Sequence, residues 1–318
     1  MLFYLAINRA FKPKWSSMTE TKPTYIYIGG EACSQSMLEM FALDHELKTK
    51  EEIESRCINE KKVAELIDRC SFCELHLILI DDNLSFYTSY QRGIWIEKLP
   101  SQKGIINVSI GLASMGANVS IDGINANIFS QYSFAVTLIN GATCHGSKGG
   151  MCFITLSSDL VGLPFDSCNV VTFYTSGAER IKVTLTNEDI NPMEFLVLHN
   201  IELILTQSGA SIERLDIDSK STVDFSKFKY IGYLAAGVSG QYNFNEYPVC
   251  TKRINIGGYP NAIVKITKSF PVYGDLEIHA ETIFDESAVL TLTGQQAILI
   301  NDMPYDASMG KHFEGSNY

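Results

Sequence analysis

Asp216 and Asp218 are the two carboxylates whose spacing comes closest to that of a catalytic pair. One residue separates them, at the end of an alternating segment, Ile212 to Ile217, that predicts a β-strand. Side chains repeat every second residue on one face of a strand, so both carboxylates are expected on the same face, with Cβ atoms about 7 Å apart. Glycoside hydrolysis requires two carboxyl groups at a separation of this order. The alternative is a pair of solvated acids on an outward strand face.

A second acidic pair, Asp81 and Asp82, directly follows the apolar segment Leu75 to Ile80. Carboxylates at the carboxyl end of a buried strand can hold Mg²⁺ or orient a phosphate. The same Asp-Asp-Asn sequence is also ordinary turn chemistry, and no glycine-rich phosphate loop accompanies it. The sequence therefore predicts neither a metal nor a cofactor, and it leaves Asp81 and Asp82 as the alternative for a metal site.

Two short motifs in the middle of the chain resemble signatures of the polygalacturonases. Residues 144–146 read Cys-His-Gly and residues 180–182 read Arg-Ile-Lys, whereas the family carries Gly-His-Gly and Arg-Ile-Lys at a similar separation. The resemblance implies a right-handed β-helix in which His145 is the active-site histidine. It also implies that Arg180 and Lys182 bind a carboxylate of the substrate.

The chain departs from the polygalacturonase pattern at the acids. The family's catalytic aspartates lie upstream of the histidine, but Asp122 is the only acidic residue here between Gly104 and His145. Without paired acids there is neither a proton donor nor a base for the attacking water. The sequence therefore favours a non-enzymatic protein, and a carbohydrate-acting β-helix enzyme is the alternative. The candidate site residues of that alternative are His145, Arg180, Lys182, Asp216 and Asp218.

Strands must position these candidates, because the hydrophobic pattern changes from helical to alternating at Leu84 and hardly changes back. Gly, Asn, Asp and Ser punctuate the gaps between the apolar segments. Between Gly104 and Ala178 only four side chains carry a formal charge, in a stretch rich in Val, Ile, Phe, Thr, Ser and Asn. Such strands suit coils or sheets that cover one another. The sequence predicts a mainly β fold, either a β-solenoid or a stacked-sheet sandwich.

Helix is predicted to be confined largely to residues 34 to 72, where capping boxes such as Ser36-x-x-Glu39 precede apolar residues at helical spacing. The predicted organisation is a flexible arm at 1–23, a small α/β unit at 24–100, a β-rich domain at 101–301 and a mobile tail at 302–318.

The composition of the 318 residues limits the choice of partners and compartment. The net charge is −11 and no basic patch is visible in the sequence, which argues against nucleic acid. No apolar run approaches the roughly 20 residues of a membrane span. The apolar start of the chain fits a signal peptide poorly, and residues 1–17 are expected to be either an arm or an upstream extension. Eight irregularly spaced cysteines indicate free thiols and synthesis in a reducing cytoplasm.

The function that these observations favour is that of a non-enzymatic structural or surface-recognition β-protein. A virus or phage particle component is the example that fits this character, by analogy alone. Long strands with few charged residues at their edges favour a homo-oligomer or another protein assembly. A glycan is retained as a further partner.

Overall fold

The computed structural model describes residues 24–29, 57–59, 75–79, 84–88, 93–98, 104, 106–112, 118–130, 135–146, 149–166, 168–175, 177–304 and 307–315. This part of the chain is mostly strand and forms a β-solenoid of about nine turns. The predicted mainly β fold is thereby confirmed, and of the two predicted alternatives it is the solenoid.

The largest sheet, sheet A, has 15 strands and runs along the solenoid. Their order is β2 (Cys57–Asn59), β1 (Thr24–Gly29), β3 (Leu75–Leu79), β5 (Gly93–Lys98), β7 (Asn118–Asp122), β9 (Ala135–Ile139), β11 (Gly149–Leu156), β13 (Cys168–Thr175), β15 (Phe195–His199), β17 (Ala210–Asp218), β19 (Phe228–Val238), β21 (Thr251–Gly258), β24 (Asp275–His279), β27 (Ile298–Ile300) and β28 (Met303–Pro304).

Four smaller sheets form the other walls of the solenoid. Sheet B contains β10 (Thr143–Gly146), β8 (Asn125–Ser130), β6 (Asn107–Leu112) and β4 (Leu84–Thr88). Sheet C contains β12 (Leu160–Val161), β14 (Ile181–Leu185), β16 (Ile201–Leu205) and β18 (Thr222–Val223). Sheet D contains β20 (Gln241–Asn243), β22 (Ile263–Ile266) and β25 (Glu281–Phe284), and sheet E contains β23 (Phe270–Val272), β26 (Leu290–Leu292) and β29 (Phe313–Glu314).

From β5 to β27, neighbouring strands of sheet A belong to successive coils and pair in parallel. The coils differ in length: Ala135 pairs with Met151, 16 positions on, whereas Val170 pairs with Phe195, 25 positions on. This variation explains why no repeat of fixed length is visible in the sequence. Insertions are absorbed at the corners, while the strands keep their register.

Inward side chains of sheet A stack on their counterparts in the next coil. One such column contains Val119, Val136, Cys152, Val171 and Leu196, all almost fully buried. Burying an aliphatic side chain of this size contributes about 1.5–3 kcal/mol. A shift of one residue would turn these buried side chains outward and expose them to water. Burial of the inward set therefore fixes the register of each strand.

Asparagine occupies several of the corners and edges of the coils. Asn200 has a φ of 58° between β15 and β16, a left-handed conformation that asparagine adopts more readily than most residues. Its side-chain amide donates to the carbonyls of Ala178 and Glu179. In sheet B, Asn125 donates to Asn107 of the preceding coil and accepts from Thr143 of the next. These bonds link neighbouring coils outside the strand ladders.

One short α-helix, α1 (Asn187–Ile190), lies within the described residues, together with 3-10 helices at Phe225–Lys227 and Ala307–His312. Thr186 caps α1: its hydroxyl accepts from the Asp189 N–H, and the Asp189 carboxylate accepts from the Thr186 N–H. This Thr-x-x-Asp box precedes only one turn of helix, so it has no helical hydrophobic pattern in the sequence to accompany it.

The C-terminal end of sheet A is closed by a short reversal of the chain. Strand β28 runs antiparallel to β27 and ends at Pro304, a residue that cannot extend a ladder. Farther on, β29 pairs with β26, Phe313 is buried, and the His312 ring stacks on Phe284 with ring centroids 4.6 Å apart.

Several expectations from the sequence fall wholly or partly outside the described residues. The arm at 1–23, the predicted helical residues other than 57–59, and Asp81 with Asp82 lie there. The helix prediction is wrong at Cys57–Asn59, because this segment pairs in parallel with β1 as strand β2. The division of the chain at residue 100 and the mobility of the tail stay predictions. Strands β1 and β3 from the predicted α/β unit are members of sheet A. No helix in the described ranges has the length and hydrophobicity to cross a bilayer.

Candidate functional site

Three residues with small or absent side chains form a shallow depression on the outer face of sheet A. Gly237 of β19 and Gly257 of β21 are paired in register, and Ala235 lies two positions before Gly237. Their inward neighbours Ala236 and Ile256 are buried, so alternation turns these three positions outward. We call Ala235, Gly237 and Gly257 the glycine floor.

Neither packing nor backbone conformation requires glycine at position 257. A Cβ atom built there would meet only the Asn255 Oδ1, 4.0 Å away, and the φ angle lies outside the left-handed region. The adjacent Gly258 differs, because a Cβ there would lie 2.8 Å from the Ala280 Cβ. Glycine inside a strand is less stable than alanine by about 0.5–1 kcal/mol, and it often marks a close approach of a ligand. Gly257 fits that description.

A buried carboxylate lies on the N-terminal side of the floor. Asp216 precedes Ala235 by one coil, and its side chain is only 4% exposed. The Arg214 guanidinium donates to both of its carboxylate oxygens, each at 2.9 Å. Burial raises the pKa of Asp216, and the hydrogen bonds and charge of Arg214 oppose that rise. Asp216 is therefore a buried acid, paired with Arg214, at the N-terminal side of the glycine floor.

An aromatic ring between two guanidinium groups flanks the floor. The Arg214 Cζ lies 4.9 Å from the Tyr233 ring centroid and the Arg253 Cζ lies 5.7 Å from it. Arg214 also lies 4.6 Å over the Phe195 ring. These residues are in register in four successive coils, so the stack runs along the solenoid axis. These cation–π contacts stabilise the stack, which forms one wall of the site. The two guanidinium groups already cover the Tyr233 ring.

A hydrogen-bonded network forms the C-terminal side. The Asn255 Nδ2 lies 2.8 Å from a Glu277 oxygen and 2.9 Å from the His279 Nε2, and Arg253 also donates to Glu277. An amide nitrogen only donates, so His279 accepts at Nε2, and its Nδ1 carries the proton donated to Asp302. Burial acts to raise the pKa of Glu277, but the bonds from Asn255 and Arg253 outweigh it and lower that pKa.

His199 lies on the same outer face, one coil before Asp218. Its ring stacks on Tyr174 with centroids 4.8 Å apart and planes 9° from parallel. Burial lowers the pKa of His199, and the carboxylates of Asp218 and Asp216 partly offset this effect. The stack and the lowered pKa both favour a neutral imidazole.

An exposed aromatic residue stands beside the floor in a projecting turn. Tyr259 follows Gly258 directly and is 48% exposed. Residues 259–262 separate β21 from β22, whereas Ala280 alone separates β24 from β25 in the next coil. The longer turn therefore makes a rim next to Gly257.

Asp216 and Asp218 lie on the same strand face, but they are in different environments. The Asp218 carboxylate accepts the backbone N–H groups of Asn200, Lys220 and Ser221 and the Ser221 hydroxyl. This set of bonds fixes the turn after β17. Because backbone donors occupy Asp218 and Arg214 occupies Asp216, each carboxylate already has protein partners.

The polygalacturonase-like residues lie on other walls of the solenoid. His145 is on β10 of sheet B, with its Nδ1 2.9 Å from an Asp166 oxygen. Lys182 is on β14 of sheet C, where it pairs in register with Glu202. Arg180 precedes β14 and donates to the Thr222 hydroxyl at 3.4 Å. No described contact joins these three side chains to one another, or to Asp216 and Asp218 on sheet A.

No protein-family model matches the chain, and no curated protein or solved structure matches it either. The resemblance to polygalacturonases therefore rests on the two short motifs. Within the described ranges, no group of three or more His, Cys, Asp or Glu side chains is arranged to hold a metal ion.

Gly257, Arg253 and Tyr259 have no motif spacing that points to a site in the sequence. One available signal is Gly257-Gly258 inside an otherwise alternating strand, since an internal glycine indicates a bulge or close approach. The partners of Gly257 on the neighbouring strands become visible only with the register between coils, which depends on the variable corner lengths.

Proposed function

We propose that the protein is a non-enzymatic recognition β-solenoid that binds an extended glycan across the glycine floor. The observation that carries this proposal is Gly257, a strand glycine at which a Cβ would meet no atom closer than the Asn255 Oδ1 at 4.0 Å. It lies in register between Gly237 and His279, beside a wall of polar side chains. A ligand backbone lying on the floor would use the space that a side chain normally fills.

The dimensions of the floor fit a short stretch of a linear polymer. From β17 to β24 the outer face spans three strand spacings, roughly 14 Å. Hydrogen-bonding side chains lie on three of these four strands, at Arg214 of β17, Asn255 of β21 and His279 of β24, and Tyr259 supplies an exposed ring at the rim. Several hydrogen-bonding groups with one aromatic surface suit a chain of sugar rings better than an apolar ligand.

The surroundings of the two aspartates support recognition without hydrolysis. A general base needs a carboxylate that can approach a water molecule, but Asp218 is occupied by backbone and hydroxyl donors. Asp216 is bound by Arg214 and is almost inaccessible. Self-association and a place in a virus or phage particle stay predictions from the sequence.

Isothermal titration calorimetry tests the binding with three hexasaccharides: β-linked glucose and N-acetylglucosamine oligomers and an α-linked galacturonic acid oligomer. We expect at least one to bind the wild type, and Gly257→Phe to abolish that binding by filling the floor. Gly177→Phe is the matched control, because Gly177 also has open space but lies in the turn after β13. Equal loss in both variants, or no binding to any of the three, would refute the proposal.

A second candidate function is glycoside hydrolysis with Asp216 as the acid. It is favoured by the raised pKa of that carboxyl on the outer face of sheet A, near His199. A reducing-sugar assay on polygalacturonate with the wild type, Asp216→Asn and His145→Ala separates the two functions. We expect no release of sugar. Turnover that is lost in either variant would establish the enzyme.

A further inference from the structure

The outer face of sheet A carries no charged side chain over four successive coils. On β9, β11, β13 and β15, alternation with buried inward residues turns three positions of each strand outward. None of these positions holds Lys, Arg, Asp or Glu. We call this surface the apolar face; its residues, strand by strand, are Ala135, Thr137 and Ile139, then Met151, Phe153 and Thr155, then Val170, Thr172 and Tyr174, and finally Phe195, Val197 and His199.

The apolar face differs from the solvated side of an ordinary sheet, where outward residues are mostly polar. Met151 is 38% exposed, and Phe153, Tyr174 and Phe195 are each partly exposed. Val197 also faces outward, yet it is only 3% exposed. These side chains lie next to one another because their strands are in register. A contiguous apolar patch on a protein surface marks an interaction site.

The sizes of these side chains make the apolar face complementary to itself. A twofold axis parallel to the strands, midway between β11 and β13, would place β13 of a second copy over β11, and β15 over β9. The rotation keeps the position along the strand, so residues of one register column face each other between the two copies. Larger side chains then mostly face smaller ones, in the pairs Phe153 with Thr172, Tyr174 with Thr155, Phe195 with Ala135 and Val197 with Thr137, and the remaining pairs are Met151 with Val170 and Ile139 with His199. Side chains of two stacked sheets interdigitate at a separation of about 10 Å.

The area of the face fits a reversible dimer. The six strands from β7 to β17, about 4.8 Å apart, and five residues along each, about 3.3 Å apart, cover roughly 480 Å². Two copies would therefore bury roughly 1,000 Å² in total, which is at the lower limit for a specific interface. We expect a dissociation constant in the micromolar range.

Charged residues begin on the strands that flank the apolar face. Asp122 lies outward on β7 and Asp218 on β17, and the twofold arrangement brings each opposite the other at the rim. Each copy also has a net charge of −11. This like-charge repulsion opposes association and is screened by salt, so added salt should strengthen the dimer.

We infer that two copies of the chain pack face to face through their apolar faces, related by a twofold axis parallel to the strands. A second copy is favoured over an unrelated partner because large and small side chains match under this rotation, and because the area reaches what a dimer requires. The apolar face supplies the surface that the self-association predicted from the sequence lacks. This inference does not rest on the proposed function, because the glycine floor lies on β19 and β21.

Sedimentation equilibrium of the full chain between about 1 and 200 μM measures the association. We expect a monomer–dimer equilibrium that tightens as NaCl is raised from about 50 to 500 mM. Met151→Lys places a charge near the twofold axis and should weaken dimerisation by about tenfold or more. Phe129→Lys is the matched control, because Phe129 is 58% exposed on β8 of sheet B, and it should leave the equilibrium unchanged. Circular dichroism establishes that both variants are folded.

A cross-link tests the orientation of the two copies without introducing a charge. Under the twofold axis, the Met151 Cα atoms of the two copies lie roughly 11 Å apart, from one sheet separation and one strand spacing. Met151→Cys should therefore form a covalent dimer with a short bismaleimide. The wild type, which keeps the native thiols, and Phe129→Cys should not.

A protein that stays monomeric over the whole concentration range, equal weakening by the two lysine variants, or dissociation of the dimer by salt would overturn the inference. So would a dimer in which Met151→Cys gives no cross-link, because another surface would then join the two copies.

Discussion

Gly257 and His279 are paired in register across β21 and β24, so an imidazole stands beside a strand position that has no side chain. No atom of a neighbouring coil lies within 4 Å of a Cβ built at Gly257. The inward columns of the solenoid are closely packed. At the outward position 257, packing does not require glycine, so the glycine there is better explained by contact with a ligand.

Replacing Gly257 by alanine is expected to leave the fold intact or stabilise it. The Cβ has room, and alanine has less conformational freedom than glycine to lose on folding, so the free energy of unfolding should be unchanged or rise by about 0.5–1 kcal/mol. Gly258→Ala is the matched control, since its Cβ would crowd Ala280 and Ala262 and should destabilise by about 1–3 kcal/mol. Urea unfolding measures both. If Gly257→Ala were as unstable as Gly258→Ala, there would be no room for a Cβ at position 257.

Asp216 should make the stability of the protein depend on pH in the acidic range. Burial raises its pKa above the ordinary 3.8, so the folded state binds the proton more tightly than the unfolded state. The stabilisation is therefore complete below pH 3.8 and is lost as the pH rises through the higher, folded-state pKa. Asp216→Asn does not titrate. The free energy of unfolding of the wild type, minus that of the variant, should fall as the pH rises across this window.

Denaturant unfolding at a series of pH values checks the Asp216 prediction. Asp285→Asn, at an exposed position after β25, shows how much of the trend arises from any lost carboxylate. A difference that grows with rising pH would mean that the pairing with Arg214 outweighs burial and lowers the pKa.

The fold could be predicted because local alternation determines which residues of each strand turn inward. The segment from Ile201 to Leu205 reads as a strand in the sequence and is β16 in the structure. The choice between solenoid and sandwich could not be made with the same certainty, because it depends on which strands pair. The parallel register of Val170 with Phe195 spans a coil that contains α1, and nothing local specifies that pairing.

The candidate site was less predictable than the fold, for the same reason. Asp216 and Asp218 were correctly expected on one strand face, since period-two alternation is a local property. Their partners differ: Arg214, two positions earlier on the same strand, covers Asp216, while Asn200 of the preceding coil and Ser221 of the following turn saturate Asp218. Contacts between residues in different coils require the register, which the sequence does not encode in a fixed repeat.

His199 should produce the opposite dependence on pH. Burial lowers its pKa below the ordinary 6.5, so the unfolded state binds the proton more tightly. Stability is then complete above pH 6.5 and is lost as the pH falls through the lowered, folded-state pKa. His199→Phe retains a ring to stack on Tyr174 but does not titrate. Relative to this variant, the wild type should lose stability on acidification below pH 6.5. An unchanged difference would show that the imidazole is not desolvated.

The buried cysteines should be free thiols that are inert in the folded protein. Cys144, Cys152 and Cys168 are buried, and Cys250 is partly buried. Burial raises the pKa of Cys144 to about 12 and also raises that of Cys152, so little thiolate is available to react. Iodoacetamide without reductant, followed by peptide mass spectrometry, should label the three buried cysteines only after denaturation. Rapid labelling of Cys152 in the native state would mean that the coil opens. Failure to label it in denaturant would reveal a disulfide and contradict synthesis in a reducing compartment.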